Sequence, residues 1–272
     1  MGSGRKLWLV ILLPVILAAV LSACFSSTPT FDGGTDSSPL VNANLISDGT
    51  DTYDYSRTGA DLAVSAPATN SDGGQLRQVY YPSDGPVTDA EQSCSTWSAQ
   101  TGIYDQQGIA LRIAPTADGL GTRAITVTKN IWEVGFWRFN VHVWDSTAAS
   151  PFTLLATVDM GSVVGSDVFH LVPYPWHVCA RVSGLTFQFI VWTGSNPQPS
   201  WDDAGAVQQV TLPSGWDYPG RAGWYIGHLA PGSVDTFTDL QTWSLKGTFA
   251  PPTTGTSTST TSVDPTTTTA AP

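Results

Sequence analysis

Residues 176–192 read WHVCARVSGLTFQFIVW, and this stretch decides the fold class. Apolar side chains recur at every second position up to Ser183-Gly184, and the alternation resumes over residues 185–192. A period of two residues is typical of a β-strand that has one face in a core and the other in solvent. A Ser-Gly pair between two such runs favours a turn. The stretch therefore predicts a β-hairpin with its turn at Ser183-Gly184.

The same period recurs elsewhere in the chain. In residues 136–144, Trp137, Phe139, Val141 and Val143 fall on one side and Arg138, Asn140 and His142 on the other. Further strands are predicted at residues 109–113, 123–129, 223–228 and 236–245. Charged residues make up 12% of the chain against about 25% in an average protein, which argues against long surface helices. Short antiparallel strands between Gly- and Pro-rich turns predict an all-β sandwich or barrel.

The order of these segments resembles the C-terminal half of concanavalin A-like lectin/glucanase jelly rolls of the laminin-G-like kind. The resemblance rests on residues 176–184, a strand that ends at Trp192, Trp201, the Gly-Arg-Ala-Gly of residues 220–223 and a last strand near residues 235–245. It covers about residues 105–247 and implies an antiparallel two-sheet jelly-roll sandwich. Residues 46–104 match less well and supply either the first strands or a decoration.

The resemblance also implies a binding site, because such domains commonly bind sugar on a concave sheet face. Two strands expected to be neighbours carry polar or aromatic side chains that suit sugar hydroxyls and pyranose faces. These side chains are Arg138, Asn140 and His142 on one strand, and Thr186, Gln188 and Trp192 on the other. The alternative is that they form the ordinary solvated face of a half-exposed sheet and bind nothing.

Enzymatic chemistry has less support in the sequence. Glucanases of this fold carry two glutamates and an aspartate in one alternating strand motif, whereas Glu91 and Glu133 are far apart and that motif is absent. Asp202-Asp203 can be read as calcium ligands or, more simply, as a solvated loop. The four histidines show no metal-ligand spacing, and no serine stands in a nucleophile-elbow context. We therefore predict no cofactor and no metal site, with calcium left open.

The N-terminus predicts export and lipidation. Arg5 and Lys6 precede seventeen uncharged residues, and the stretch ends in Leu21-Ser22-Ala23-Cys24, which resembles a bacterial lipobox. Cys24 is thus the predicted lipidation site, and two or more acyl chains would hold the protein at the extracytoplasmic face of the cell membrane. The alternative is an uncleaved membrane anchor, since seventeen residues are at the lower limit for a spanning helix.

Composition divides the chain into four parts. Residues 1–23 are the predicted signal peptide, and residues 24–45 are too polar to pack and read as a flexible tether. Residues 46–249 hold most of the aromatic residues and are assigned to the sandwich. Residues 250–272 are almost wholly Thr, Ser, Pro, Gly and Ala, and form a predicted disordered tail that is either O-glycosylated or bare.

Two cysteines remain after lipidation of Cys24, namely Cys94 and Cys179. An even number in an oxidising compartment favours one disulfide bond. The alternative is two free thiols, one buried in a strand and one in a loop.

Charge narrows the choice of partner. The formal net charge is -11, and an acidic chain lacks the basic stripe of nucleic-acid-binding proteins. We therefore predict no nucleic-acid partner.

The sequence leaves three hypotheses for the function of the protein. The first hypothesis is a membrane-anchored lipoprotein that binds a glycan or envelope component without catalysis. The second is a protein-interaction or structural envelope lipoprotein, encoded by a cell or a phage. The third is a divergent glycoside-active enzyme.

Overall fold

The computed structural model describes residues 30–71, 75–102, 104–131, 137–165 and 172–246. Among these residues no helix has the length and apolar composition needed to cross a membrane. The elements within these ranges are β1 (Thr30–Thr35), β2 (Leu40–Ile46), β3 (Asp54–Thr58), β4 (Asp61–Ser65), β5 (Arg77–Pro82), β6 (Ala90–Gln100), β7 (Gln106–Pro115), β8 (Thr122–Lys129), β9 (Arg138–Asp145), β10 (Phe152–Asp159), α1 (Gly161–Val164), β11 (Trp176–Ser183), β12 (Thr186–Thr193), β13 (Gln208–Thr211), β14 (Arg221–Gly227) and β15 (Val234–Lys246).

The strands form two antiparallel sheets, so the predicted all-β sandwich is confirmed. The eight-stranded sheet has the order β13-β12-β11-β6-β15-β4-β3, with β1 also paired to β15. The seven-stranded sheet has the order β10-β9-β8-β7-β14-β5-β2. Residues 46–104, which match the resemblance less well, contribute β3 to β6 to these sheets and are therefore part of the sandwich itself.

One large apolar core lies between the two sheets. The apolar side predicted for residues 136–144 is in it, as are the alternating apolar residues of β11 and β12. The members that the sequence predicted are Trp137, Phe139, Val141, Val143, Val178, Ala180, Val182, Phe187, Phe189 and Val191. Burying a large apolar side chain contributes roughly 1.5–3 kcal/mol, so this interface accounts for much of the stability of the fold.

The β11–β12 hairpin is confirmed, and its turn lies one residue later than predicted. Ser183 pairs with Thr186, so the two turn residues are Gly184 and Leu185. Gly184 has a φ angle of 53°, a left-handed conformation that glycine adopts without the steric cost of a Cβ atom. The glycine therefore begins the turn instead of ending it.

The predicted tether of residues 24–45 is wrong from Thr30 onward. Residues 30–35 form β1, which pairs along its whole length with β15, from Thr30 opposite Lys246 to Thr35 opposite Gln241. Residues 40–46 form β2, which pairs with β5 and buries Leu45. Backbone pairing to distant strands orders these residues, and a composition argument does not detect it. The other flanking predictions, at residues 1–23, Cys24 and residues 250–272, lie outside the described residues.

The seven-stranded sheet is strongly curved. Cα atoms of β2 come within 8 Å of β8, although β7, β14 and β5 lie between these strands in the sheet. In a flat sheet, four strand spacings would separate them by roughly 19 Å. The outward face of this sheet is therefore concave at that end.

Candidate functional site

The predicted binding residues do not form one surface. Arg138, Asn140 and His142 lie on β9 in the seven-stranded sheet, whereas Gln188 and Trp192 lie on β12 in the eight-stranded sheet. The expectation that these two strands are neighbours is wrong. Their alternation gave the correct inward and outward faces, but the period of a strand carries no information about which sheet it joins.

On β9, the three polar side chains are involved in local contacts. Arg138 lies 3.8 Å from the Asp159 carboxylate, and Asn140 accepts a hydrogen bond of 3.0 Å from the Thr157 hydroxyl. The ring of His142 packs against Trp144, and its Nδ1 is enclosed without a hydrogen-bond partner among the described residues. Burial lowers the pKa of His142 to about 4. This histidine is therefore neutral at pH 7, unlike a surface imidazole near its usual pKa.

The concave end of the same sheet is partly filled by the protein's own side chains. A second apolar cluster covers the outward face there, with Trp144 and Tyr225 packed 5.9 Å apart. The buried members are Leu45, Val79, Ala110, Ile113, Ala124, Trp144 and Tyr225. Beside this cluster, a cavity of about 570 Å³ lies between the end of β2 and the turns at residues 119–122 and 146–151, and none of the predicted binding residues lines it.

The outward face of the eight-stranded sheet is different. Cys94 on β6 and Cys179 on β11 stand opposite each other and form the predicted disulfide bond, which is confirmed. Three half-buried tryptophans, Trp192, Trp201 and Trp243, pack against the apolar cluster around this bond. We call these three residues and the polar side chains between them, His177, Arg181, Gln188 and Gln92, the tryptophan face.

A row of polar side chains crosses the tryptophan face perpendicular to the strands. Strand pairing places Gln209, Gln188, Arg181, Gln92 and Trp243 in succession on β13, β12, β11, β6 and β15. The Arg181 Nε donates to Gln188 Oε1 at 2.8 Å, and Gln188 Nε2 donates to Gln209 Oε1 at 2.8 Å. Each amide is thereby fixed in orientation by its neighbour.

Arg181 lies in the middle of this row beneath the loop between β12 and β13. Its guanidinium carbon lies 4.2 Å from the centre of the Trp201 ring, a cation–π arrangement. Burial lowers the pKa of Arg181 to about 10, and Asp202 opposes this shift. The side chain remains charged at pH 7, so the tryptophan face contains a buried positive charge.

At the other end of the face, Trp192 stacks on His177 with ring centres 5.1 Å apart and planes inclined by 15°. Both ring nitrogens of His177 are engaged, Nδ1 with the Thr96 hydroxyl at 2.8 Å and Nε2 with the Gly194 carbonyl at 2.9 Å. Thr96 also donates to Asp239 at 3.0 Å. These hydrogen bonds fix the imidazole, and the imidazole in turn supports one face of the indole.

The sequence analysis identified Gln188 and Trp192 but missed His177, Arg181 and Trp243 as members of this surface. A signal for two of them was present, because His177 and Arg181 alternate with Val178, Ala180 and Val182 on β11. Trp243 comes from β15, whose place beside β6 follows only from the tertiary fold.

A metal site is not evident on this surface. Within the described ranges, no three His, Cys, Asp or Glu side chains are grouped so that they could hold a metal ion. Asp203, one of the two aspartates considered as calcium ligands, accepts a hydrogen bond of 2.9 Å from the Gly205 amide in an exposed loop.

The architecture defines a class of fold: an all-β, two-sheet antiparallel sandwich that resembles the concanavalin A-like lectin/glucanase folds. Among solved structures, the chain is similar to the carbohydrate-binding module CBM66 from Bacillus subtilis, with a TM-score of 0.47 and 10% identity over 77% of this chain and 98% of that one. It is also similar to the CBM2 module of the evolved Dit protein of Lactobacillus casei BL23 phage J-1, with a TM-score of 0.49 and 11% identity over 82% and 99% of the two chains.

A third similar structure is a prokaryotic β-1,3-1,4-glucanase (lichenase) derived from a mouse hindgut metagenome, with a TM-score of 0.45 and 10% identity over 80% of this chain and 99% of the enzyme. No protein-family model matches the chain, and no curated protein matches it in sequence. At these identities the likeness concerns the fold alone, so function has to be argued from the side chains.

Proposed function

We propose that this protein is a membrane-anchored extracytoplasmic lipoprotein whose sandwich binds a glycan, without catalysis, on the tryptophan face. The observation that carries the proposal is the convergence of Trp192, Trp201 and Trp243 around one disulfide bond on a single sheet face. Indole rings that are only half-buried present flat apolar surface next to water, which suits the apolar face of a pyranose.

The polar groups between the indoles support the same ligand class. Gln209 is exposed at the edge of the row, and its amide is oriented by Gln188. The Gln92 Oε1 is buried without a partner among the described residues, close to Trp243 in the pairing of β6 with β15. Amides and a guanidinium offer donors and acceptors to adjacent hydroxyl pairs. Hydrogen bonds fixed before binding reduce the entropy that a ligand must overcome.

A glycan array with the purified protein and two matched variants tests this proposal. We expect Trp192→Ala to weaken binding of the recognised glycan at least tenfold, because it removes an indole already supported by His177. Arg138→Ala, on the outward face of the other sheet, is expected to leave binding unchanged. Circular dichroism and thermal unfolding would show that both variants remain folded.

The same pair of variants distinguishes the tryptophan face from the other sheet as the binding site. Loss of binding in Arg138→Ala with binding retained in Trp192→Ala would move the site to the concave sheet and contradict the proposal. If no glycan binds the unaltered protein, the protein-interaction hypothesis replaces it. Phe152 and Leu154 favour that second candidate, because both are exposed on the edge strand β10.

The anchoring part of the proposal rests on the lipobox resemblance. We expect the protein to incorporate labelled palmitate and to fractionate with membranes, and we expect Cys24→Ser to abolish both properties. Cys94→Ser is the matched control, since it removes a cysteine that is not in the lipobox. Labelling that persists in Cys24→Ser would contradict lipidation at this position.

A further inference from the structure

A cavity of about 430 Å³ opens at one edge of the sandwich, beside the first strand. One wall is formed by β1 and the turn after it, residues 32–38, and the other by the loop between β5 and β6, residues 82–88. Its floor contains Glu91 of β6 and Ala222 of β14. The volume lies within the range of small-molecule binding sites, about 300–1,000 Å³.

Glu91 is the unusual group in this cavity. Its side chain is fully buried, and its Oε1 accepts a hydrogen bond from the Arg112 amide. Its Oε2 has no hydrogen-bond partner among the described residues. The Arg112 guanidinium, whose charge acts on Glu91, donates instead to the carbonyls of Asp89 and Trp216. A buried carboxyl oxygen without a hydrogen-bond partner is costly in either protonation state, so a ligand that pairs with it would gain free energy.

The walls of the cavity are acidic. Asp32 contacts Lys246 at 2.8 Å and Asp36 contacts Arg57 at 3.2 Å, while Asp84 is exposed at the mouth. Serine and threonine hydroxyls, including those of Thr88 and Thr242, line the space between these carboxylates. Because Asp32 and Asp36 are already paired with cations, the negative charge that favours a positively charged ligand comes from Asp84 at the mouth and from Glu91 when it is ionised.

A metal ion fits this site poorly. Calcium takes six to eight oxygen ligands, whereas two of the wall carboxylates already pair with Lys246 and Arg57. Within the described ranges, no group of three acidic, cysteine or histidine side chains could hold a metal. A neutral sugar would leave the buried Glu91 oxygen without a charged partner.

We propose that this cavity is a binding site for a small organic cation with a primary ammonium group and hydroxyls, about the size of a hexosamine, whose ammonium donates to Glu91 Oε2. Trp243 of the tryptophan face also lines this cavity, whereas Trp192 and Trp201 do not, and the proposal does not depend on glycan binding at the tryptophan face. The ammonium would form an ion pair with the Glu91 carboxylate, and its remaining protons would face the hydroxyls of the walls.

The first strand gives the cavity its shape. β1 lies so close to β15 at Gly33 that a Cβ atom there would be 2.2 Å from the Thr242 carbonyl oxygen. Because Gly33 has no side chain, β1 can pair with β15 at this short distance. The wall formed by residues 32–38 then lies over the cavity. The ligand site thus exists because β1 belongs to the sandwich.

Binding should release a proton. Burial raises the pKa of Glu91 to about 8, opposed by the Arg112 amide and charge. The other charged or titratable groups around it are Asp89, Asp217 and Tyr218 beside Arg112, and Asp32, Asp36 and Asp84 in the walls, of which Asp32 and Asp36 pair with Lys246 and Arg57. At pH 7 Glu91 is mostly protonated in the free protein. An ammonium ion stabilises the carboxylate, so the Glu91 O–H bond breaks and the proton passes to the buffer.

Isothermal titration of the purified full-length protein with D-glucosamine at pH 7 tests this proposal, with D-glucose as the neutral probe of equal size. We expect glucosamine to bind and glucose to bind at least tenfold more weakly. Titrations in two buffers with different ionisation enthalpies should show release of close to one proton. Glu91→Gln should weaken glucosamine binding at least tenfold and release no proton, because its amide reproduces the protonated side chain.

Two further variants test whether glucosamine binding depends on the carboxylate at the cavity or on the negative charge of the protein as a whole. Asp84→Asn should weaken binding a few-fold, and Asp54→Asn, which removes an exposed carboxylate on β3 that does not line the cavity, should not. Equal binding of glucose, full binding by Glu91→Gln, or displacement of glucosamine by calcium would each overturn the proposal. Loss of glycan binding in Trp192→Ala without any change in glucosamine binding would show that the two sites are distinct.

Discussion

Replacing Cys94 and Cys179 together by alanine is expected to lower the free energy of unfolding by about 4 kcal/mol. The bond joins two neighbouring strands of the eight-stranded sheet and closes a segment whose ends are 85 residues apart in sequence. In the chain-entropy model, a cross-link of that length strongly restricts the unfolded chain. Both sulfurs are also buried in the cluster that supports the tryptophan face. Urea unfolding followed by tryptophan fluorescence would measure the loss.

Reduction of the unaltered protein is the internal control for this prediction. Reduced protein should show the same loss as the double variant, and mass spectrometry should show two added hydrogens. A loss below about 1 kcal/mol in both would mean that the bond contributes little to stability. A loss in the variant but not on reduction would indicate that alanine disturbs the packing around Ile190 and Val207 instead.

The second large effect is expected at Asp235, near the start of β15. Its side chain is fully buried, and neither carboxylate oxygen has a hydrogen-bond donor beside it among the described residues. Burial, and then the neighbouring Asp105 carboxylate, raise the pKa of Asp235 well above its usual value. Asp105 accepts hydrogen bonds from the Gly102 and Ala230 amides, so the donors that a carboxylate needs are all at Asp105.

This arrangement makes stability depend on pH. In the unfolded chain, Asp235 loses its proton near pH 4, whereas in the folded protein it holds the proton to a higher pH. The unfolded state therefore releases the proton first, and the contribution of Asp235 to stability falls as pH rises from about 4 through the folded-state pKa. We expect Asp235→Asn to raise the free energy of unfolding by about 1–3 kcal/mol at pH 8 and to change it little at pH 4.

Denaturant unfolding at pH 4, 6 and 8 measures this difference, and the comparison of variant with unaltered protein cancels the other titrating groups. Asp105→Asn is the matched control. It should destabilise the protein at pH 8, because it weakens an acceptor for the backbone amides of Gly102 and Ala230. An equal gain in Asp235→Asn at pH 4 and at pH 8 would contradict the linkage.

The sequence was a good guide to local structure. Alternation identified β8, β9, β11, β12 and the inward side of each, because the pleat of a strand places successive side chains on opposite faces. The disulfide was also predictable, since two cysteines remain once Cys24 is set aside. The resemblance to concanavalin A-like folds correctly predicted two antiparallel sheets.

Long-range pairing limited the prediction of the site. Gln188 and Arg138 both face outward on alternating strands, yet they are on opposite sides of the sandwich. Nothing in a period of two residues distinguishes the sheets. For the same reason β1 was not predicted. Its Gly33-Gly34 pair is typical of a linker in sequence, and only its pairing with β15 makes it a strand. The same limit also concealed Glu91, a charged residue at a fully buried position in the alternation of β6.

If Cys24 carries lipid as proposed, the pairing of the first and last strands would set the height of the protein above the membrane. Thr30 lies opposite Lys246, so the two ends of the sandwich backbone leave it side by side at one edge. Five residues lie between Cys24 and Thr30, so the six steps along the backbone span at most about 22 Å. With lipid on Cys24, that edge would therefore stay close to the lipid headgroups, and the Thr/Pro-rich tail would start beside them. The opposite end of the sandwich would face outward.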